Sequence, residues 1–137
     1  LISDETTRTG GGTFTEQSWI WGPGGRSLLV PGTSSGAVTW PAITCDRVRV
    51  YYGKTNVAGG QSKVFIDGVD VTSTGTLGGN GTSGASGANL QNSDASKQDG
   101  FYWQSAALTR AAHTVKVQGT VAAATSPMAA SVCANVR

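Results

Sequence analysis

The strongest structural signal in this chain comes from Ser62-Lys63-Val64-Phe65-Ile66-Asp67-Gly68-Val69-Asp70-Val71. Apolar and polar residues alternate along it with the period of two that is typical of a half-buried β-strand. The alternation is interrupted at Asp67-Gly68, a residue pair that favours a tight turn between antiparallel strands. The stretch therefore predicts a β-hairpin.

Two further runs share this alternation, and several shorter runs have a β-forming composition. The longer runs are Asp46–Tyr52 and His113–Gly119. The shorter runs are Thr13–Thr15, Ser18–Trp21, Ser27–Val30, Gly36–Trp40, Phe101–Trp103 and Ala129–Val136. Glycine and proline separate them, and we expect Pro41 to end the run before it. Short strands with turns roughly every ten residues predict an antiparallel all-β domain, either a sandwich or a barrel.

The composition agrees with an all-β domain that has long loops. The chain has 137 residues, of which 20 are glycine, and 13% of its residues are charged. Windows rich in Leu, Glu and Lys, which are typical of long helices, are missing. The length suits a single domain with its own core, which we place at residues 13–137. Residues 1–12 are polar and end in three glycines, which predicts an arm or linker.

Residues 73–100 form the most unusual segment of the sequence. They consist largely of Gly, Ser, Thr, Asn and Asp, and we expect them to contribute nothing to a core. A loop of this length is uncommon inside a compact domain unless it is functional, disordered or packed on another chain. We therefore expect a long Gly/Ser-rich loop that is held at an interface with a neighbouring subunit.

Charge and hydropathy argue against two classes of partner. The net charge is +2, and the Lys and Arg residues are too scattered to form an electrostatic footprint for nucleic acid. No run of about 18 apolar residues is present, so we predict no membrane insertion. The chain starts at Leu1, with neither an initiator methionine nor a signal-peptide pattern, which favours a fragment or a processed product.

The two cysteines, Cys45 and Cys133, each lie beside a predicted strand. Their positions leave two alternatives open: a disulfide that ties the last strand to the rest of the domain, or two small buried thiols. They do not predict a metal site, because they lack C-x-x-C spacing and the sequence offers only one histidine as a further nitrogen ligand.

His113 is the only histidine and the only candidate for a general base. Its conceivable carboxylate partners are Asp46, Asp67 and Asp99. A lone histidine at the start of a strand is more often a hydrogen-bonded structural residue, and we favour that interpretation. Ser34 lies in a bare G-x-S-x-G sequence, Gly32–Gly36, but the all-β pattern around it predicts no strand-to-helix turn of the kind that exposes a nucleophilic serine, so a hydrolase nucleophile is unsupported. We predict no catalytic residue and no enzymatic activity.

Two groups of oxygen ligands are candidates for a cation. Asp67 and Asp70 bracket the predicted turn, where such residues usually serve turn formation and stay solvated. Asn92, Asp94 and Asp99 lie close together in the long loop, but their spacing matches no known calcium loop. The sequence predicts no metal site from either group.

The order of the strands resembles the galactose-binding-like jelly-roll modules, a carbohydrate-binding-module type of β-sandwich. The resemblance is carried by Lys63–Val69, which ends in the Asp-Gly turn, and by Leu108 followed by His113-Thr114-Val115-Lys116-Val117. It covers about Thr13 to Val136 and implies an antiparallel jelly-roll sandwich. Modules of this type occur beside SGNH-type esterases, in carbohydrate-active enzymes and in bacteriophage structural proteins. The structural calcium that such folds often carry is not expected here, because a clear set of acidic ligands is missing; no other cofactor is predicted.

The resemblance implies a noncatalytic module that binds a cell-surface glycan or polysaccharide, or attaches an extracellular or virion assembly to a surface. Two other functions agree with it. The chain is alternatively a structural domain of a phage head, tail or fibre that acts through contacts with neighbouring subunits, or an accessory domain of a hydrolase. We expect it to be located outside the cell or on a virion surface.

Aromatic residues are the best guide to a binding site, since sugar rings stack their C–H faces on Trp and Tyr. We expect Trp19 or Trp40 to lie in the core, and Trp103 with Tyr102 to be the more exposed pair. Arg47, Arg49 and Tyr51 fall on the face opposite Val48 and Val50, where they suit either a glycan, neutral or anionic, or a neighbouring subunit. The predicted ligand-binding residues are Trp103, Tyr102, Gln104, Trp21, Tyr51 and Arg49.

Overall fold

The computed structural model describes residues 7–9, 15–17, 28–30, 36–54, 61–79, 85–86, 89–91, 98–121 and 131–135. These residues are almost entirely extended. The strands are β1 Thr7–Thr9, β2 Thr15–Gln17, β3 Leu28–Val30, β4 Ala37–Cys45, β5 Val48–Lys54, β6 Gln61–Ile66 and β7 Val69–Asp70. They continue with β8 Thr76–Gly79, β9 Ala85–Ser86, β10 Asn89–Gln91, β11 Gln98–Gln104, β12 Ala111–Val121 and β13 Ser131–Ala134. A short 3-10 turn at Thr72–Thr74 precedes β8.

Within the described residues the strands form two large antiparallel sheets. The seven-stranded sheet has the order β1-β4-β12-β6-β10-β9, with β7 paired to β6. The four-stranded sheet has the order β13-β5-β11-β8, and β2 pairs with β3 separately. Strands that are distant in sequence are neighbours in both sheets. The predicted antiparallel β-sandwich is confirmed.

The predicted hairpin is also confirmed. Strands β6 and β7 pair with Ile66 opposite Val69, which leaves Asp67 and Gly68 as a two-residue turn. Asp67 has φ 52° and Gly68 has φ 80°. Positive φ at both central residues is what a type I′ turn requires, and Asp-Gly is one of the pairs that tolerate it.

The core lies between the two sheets and follows from the period of two. Along β6 every second residue is buried, and β5 buries Val48, Val50 and Tyr52 in the same way. Trp40 is 1% exposed and belongs to this core, as predicted. The buried residues of the core are Val38, Trp40, Cys45, Val48, Val50, Tyr52, Val64, Ile66, Phe101, Trp103, Val115, Val117 and Val132. Apolar burial on both inner faces supplies the main driving force for this arrangement.

Pro41 does not end a strand, contrary to expectation. Strand β4 runs through it to Cys45, and the register against β12 shifts between His113 and Val115 at that level. Pro41 and Ala42 are both exposed there. The irregular pairing accommodates a residue that has no N–H to donate, since proline is tolerated at bulges.

Two segments predicted to lack regular structure contain strands. Thr7–Thr9, within the predicted arm, pairs with β4 as an edge strand. The predicted loop at residues 73–100 contains β8, β9, β10 and the start of β11, and Leu77 packs against the core. Backbone hydrogen bonding does not depend on side chains, so a glycine-rich stretch pairs where a neighbouring strand offers an edge. The expectation of strand at Ser18–Trp21 lies outside the described residues.

The remaining expectations concern the cysteines and the membrane. Of the two alternatives left open for the cysteines, the structure excludes the Cys45–Cys133 disulfide, because Cys45 is a free, buried thiol. Burial raises the pKa of the Cys45 thiol, which keeps it in the protonated, unreactive form. None of the described residues belongs to a helix that is long and apolar enough to cross a lipid bilayer.

Candidate functional site

Two neighbouring strands, β5 and β11, gather four of the predicted site residues on one outer surface. In the register of β5 and β11, Arg49 lies opposite Gln104 and Tyr51 lies opposite Tyr102. These four residues alternate with buried ones along both strands, so their side chains are on the face turned away from the core. We call the group Arg49, Tyr51, Tyr102 and Gln104 the Arg–Tyr face.

Arg49 is the centre of the Arg–Tyr face. Its Nε and Nη2 both donate to Gln104 Oε1, at 3.0 and 2.6 Å. Its Nη1 donates to the Tyr51 hydroxyl oxygen at 3.3 Å, and its Cζ lies 4.0 Å from the centroid of the Tyr102 ring. One guanidinium thus contacts the other three members, and its hydrogen bonds and cation–π contact hold them as one unit.

The two tyrosines are close enough to form a joint aromatic surface. Their ring centroids are 5.9 Å apart, with an angle of 59° between the ring planes. Both residues are half-buried, so each keeps part of its surface open to solvent. Their tilted arrangement is one of the favourable geometries for neighbouring aromatic rings.

The Arg–Tyr face keeps hydrogen-bonding groups for a partner. Gln104 uses its Oε1 towards Arg49, and its amide N–H groups donate to none of the described residues. Tyr51 accepts a hydrogen bond from Arg49 and keeps its own O–H to donate. Arg49 forms no ion pair with any described carboxylate, so its charge is balanced by none of them. The surface is therefore aromatic, positively charged and richer in donors than in acceptors.

Trp103 does not belong to this surface, contrary to our expectation. It is 0% exposed, and its Nε1 donates to the Thr72 carbonyl oxygen at 2.9 Å. Tyr102 and Trp103 are consecutive in one strand, so their side chains point to opposite faces and cannot form one exposed pair. Tyr102 is the outer residue and Trp103 the inner one. Trp21, the remaining predicted site residue, lies outside the described residues.

Sequence reasoning missed one residue of this region, Gly78 on β8. It lies opposite Tyr102 in the register of β8 and β11. A Cβ added at Gly78 would overlap the Cζ and hydroxyl oxygen of Tyr102, so the ring end of Tyr102 occupies the space above this glycine. The available signal was a glycine at an interior position of a strand, which often marks a close approach by another group.

The candidate acid–base pair, His113 and Asp67, is formed but is structural in its geometry. His113 Nδ1 lies 2.6 Å from Asp67 Oδ2, and His113 Nε2 lies 2.8 Å from the Thr109 carbonyl oxygen. Asp67 Oδ1 also accepts the backbone N–H of Thr114 at 2.9 Å. Both ring nitrogens face acceptors, which suits the protonated imidazolium and leaves neither nitrogen free to accept a proton from a substrate. His113 therefore fastens the β6–β7 turn to the start of β12.

The pKa values in this pair shift as the contacts require. The hydrogen bond to Asp67 raises the pKa of His113, and the Thr109 carbonyl adds to the effect. The same hydrogen bond from His113, together with the Thr114 N–H, lowers the pKa of Asp67. Each shift favours the charged form of its group.

The second predicted acidic residue of the turn, Asp70, also has partners within the chain. Its Oδ2 lies 3.0 Å from Lys63 Nζ, and its Oδ1 accepts hydrogen bonds from the Thr72 N–H and hydroxyl at 3.1 and 2.7 Å. Burial raises the pKa of Asp70, but the bonds from Thr72 and Lys63 outweigh it and hold the pKa below its ordinary value. Among the described residues no group of three or more His, Cys, Asp or Glu side chains is arranged to hold a metal ion. Asn92 and Asp94 lie outside these residues.

Comparison with known proteins finds a solved structure with a similar fold. No protein-family model matches the sequence, and no curated protein matches it either. The structure is similar to the solved structure of CBM35 from Paenibacillus barcinonensis, with a TM-score of 0.55. The match covers 99% of this chain and 96% of that chain, at 13% sequence identity. The likeness thus extends over the whole described sandwich and concerns its fold.

Proposed function

We propose that this chain is a noncatalytic carbohydrate-binding module that holds a glycan against the Arg–Tyr face. The observation that carries the proposal is the Arg49 guanidinium, which joins two tyrosine rings and a glutamine into one preformed outer surface. The fold likeness to a carbohydrate-binding module supports the same class of function.

The chemistry of the Arg–Tyr face suits a sugar. The exposed parts of Tyr51 and Tyr102 offer apolar area for the C–H face of a pyranose ring. The amide N–H groups of Gln104, the Tyr51 hydroxyl and the remaining guanidinium N–H groups lie around this area and donate to sugar oxygens. Because donors predominate, the contacting edge of the glycan presents acceptor oxygens, from hydroxyl groups, ring oxygens or carboxylates.

The preformed geometry lowers the cost of binding. Arg49 is already fixed by Gln104 and Tyr51, so little side-chain freedom remains to be lost when a ligand arrives. We expect the natural partner to be a glycan or polysaccharide met outside the cell.

The test is a glycan screen of the purified domain with neutral and acidic oligosaccharides, followed by calorimetric titration of any glycan that binds. We expect saturable binding that falls at least about tenfold, or ~1.4 kcal/mol, in the Tyr51→Ala/Tyr102→Ala double variant. Phe65→Ala, which removes a half-buried ring from the opposite sheet, is the matched control and keeps wild-type affinity.

Two outcomes contradict the proposal. One is glycan binding that the double variant retains in full. The other is a folded wild-type domain that binds no glycan but self-associates through the Arg–Tyr face, with the double variant monomeric. The second outcome would favour the role in a subunit assembly, because Arg and Tyr are also enriched at protein interfaces.

A further inference from the structure

Two consecutive residues of β11, Tyr102 and Trp103, each rest against a glycine: Gly78 within β8 and Gly75 immediately before it. A Cβ on Gly75 would overlap the indole ring of Trp103 on the inner side. A Cβ on Gly78 would overlap the hydroxyl end of Tyr102 on the outer side. By contrast, a Cβ on Gly68 in the hairpin turn would meet nothing within 4 Å. Gly75, just before β8, and Gly78, within it, are therefore matched to the two aromatic side chains beside them.

The consequences of filling the two spaces differ. Trp103 is fully buried and fixed by its hydrogen bond to the Thr72 carbonyl, so it has nowhere to move. Tyr102 is half-buried, and the overlapping atoms are the far end of a side chain that rotates. A side chain at position 75 would disrupt the core, whereas one at position 78 would displace the Tyr102 ring and leave the core intact.

We infer that Gly78 is a positioning residue of the Arg–Tyr face, which sets the orientation of Tyr102 by lacking a side chain. The hydroxyl end of Tyr102 lies over Gly78. In this orientation the centroid of the Tyr102 ring is 4.0 Å from Arg49 Cζ, and the ring plane makes an angle of 59° with that of Tyr51. A Cβ at position 78 lifts that end of the ring and changes both contacts. The effect on ligand binding rests on the proposed function; the effect on ring orientation does not.

The experiment compares Gly78→Ala with Val69→Ala, a control whose exposed side chain lies on β7 in the other sheet. The first readout needs no ligand: it is the NMR signal of the Arg49 Nε–H, which is held by Gln104 beside the Tyr102 ring. We expect this signal to shift in Gly78→Ala and to stay in place in Val69→Ala. The melting temperature of Gly78→Ala should fall by less than about 5 °C.

The second readout is the affinity for the glycan identified in the screen, measured in a double-mutant cycle with Tyr102→Ala. We expect Gly78→Ala to weaken binding about fivefold on its own and to have no further effect in the Tyr102→Ala background. An equal loss in both backgrounds would overturn the inference, because Gly78 would then act independently of Tyr102. An unshifted Arg49 signal would overturn it as well.

The two proposals fail separately. If the wild type binds no glycan, the proposed function fails, and the Arg49 signal still decides whether Gly78 positions Tyr102. If Gly78→Ala does not fold, the Gly78→Ala/Tyr102→Ala double variant becomes decisive. Recovery of folding when the ring is removed supports the inference, and an unfolded double variant contradicts it.

Discussion

Both outer faces of the sandwich carry a cation–π contact, but the hydrogen-bonding groups around the two contacts differ. On the four-stranded sheet, Arg49 lies over the ring of Tyr102, with 4.0 Å from its Cζ to the ring centroid. On the seven-stranded sheet, Lys116 lies over the ring of Phe65, with 4.3 Å from its Nζ to the centroid. Lys116 and Phe65 are direct register partners on adjacent strands, so their contact is an ordinary cross-strand pair.

The difference lies in what else each cation holds. Lys116 shields a phenyl ring that has no hydrogen-bonding group, so the pair offers little for a polar ligand to recognise. The neighbouring charges of Lys63 and Asp70 on that sheet neutralise each other at 3.0 Å. Arg49 instead bonds to Gln104 and Tyr51 while it covers Tyr102, and no described carboxylate balances its charge. A cation–π contact alone therefore does not indicate a binding site. Hydrogen-bond donors around the ring that remain available to a ligand are the more specific indication.

The largest effect that separates the two faces is expected from removing their cations. Arg49→Ala removes the contacts with Gln104, Tyr51 and Tyr102, and it also removes the positive charge at the centre of the Arg–Tyr face. We therefore expect glycan affinity to fall about thirtyfold, or ~2 kcal/mol. Lys116→Ala should leave affinity unchanged. Calorimetric titration of both variants with the same oligosaccharide measures the difference, and equal losses would mean that general positive charge, rather than the Arg–Tyr face, attracts the ligand.

A smaller effect is expected when the charge is kept and only its shape is changed. Arg49→Lys preserves the positive charge but cannot reach Gln104 and Tyr51 with a planar fork of donors. Losing about 1 kcal/mol of hydrogen bonding predicts an affinity decrease of about fivefold. Lys116→Arg on the other face is the matched exchange and should change nothing. If Arg49→Lys bound as tightly as wild type, long-range attraction alone would account for the role of Arg49.

The sequence predicted which segments form the main strands better than it predicted where the strands begin and end. The Asp67-Gly68 turn and the alternation around it identify β6 and β7 because a two-residue turn and a period of two are local properties. The passage of β4 through Pro41 depends on the irregular register against β12, which is set by pairing across the sheet and is invisible in a single strand. The strands at Thr76–Gly79 and Thr7–Thr9 likewise form because an edge is available beside them.

The candidate site was predictable in part for the same reason. Alternation along β5 correctly predicted that Arg49 and Tyr51 share one face. Tyr102 and Gln104, which the sequence also predicted as ligand-binding residues, lie on the outer face of β11. The error at Trp103 came from weighing its size and its polar neighbours above the alternation, which sets it opposite to Tyr102. The direct pairing of Arg49 with Gln104 depends on the register of two strands that are far apart in sequence, and no local pattern specifies it.

The smallest effect concerns pH and separates stability from binding. His113 has a raised pKa, so its contribution to stability is complete below its unfolded value of about 6.5 and is lost as the pH rises through the folded value. Asp67 has a lowered pKa, so its contribution is complete above about 3.9 and is lost as the pH falls through the folded value. The His113–Asp67 pair therefore contributes most to stability between pH values of about 3.9 and 6.5. Because the Asp67 side chain is 50% exposed, its loss should cost no more than about 1 kcal/mol.

Thermal melting between pH 5 and 9 measures this effect. We expect the melting temperature of the wild type to decline above neutral pH and that of His113→Gln, which has no titrating ring, to stay level over the same range. Glycan affinity should not follow the decline, because the four side chains of the Arg–Tyr face include neither a carboxylate nor an imidazole. A wild-type melting curve that ignores pH would contradict the role of His113. An affinity that falls together with the melting temperature would show that the glycan site depends on the β6–β7 turn, and the separation between the two faces of the sandwich would be lost.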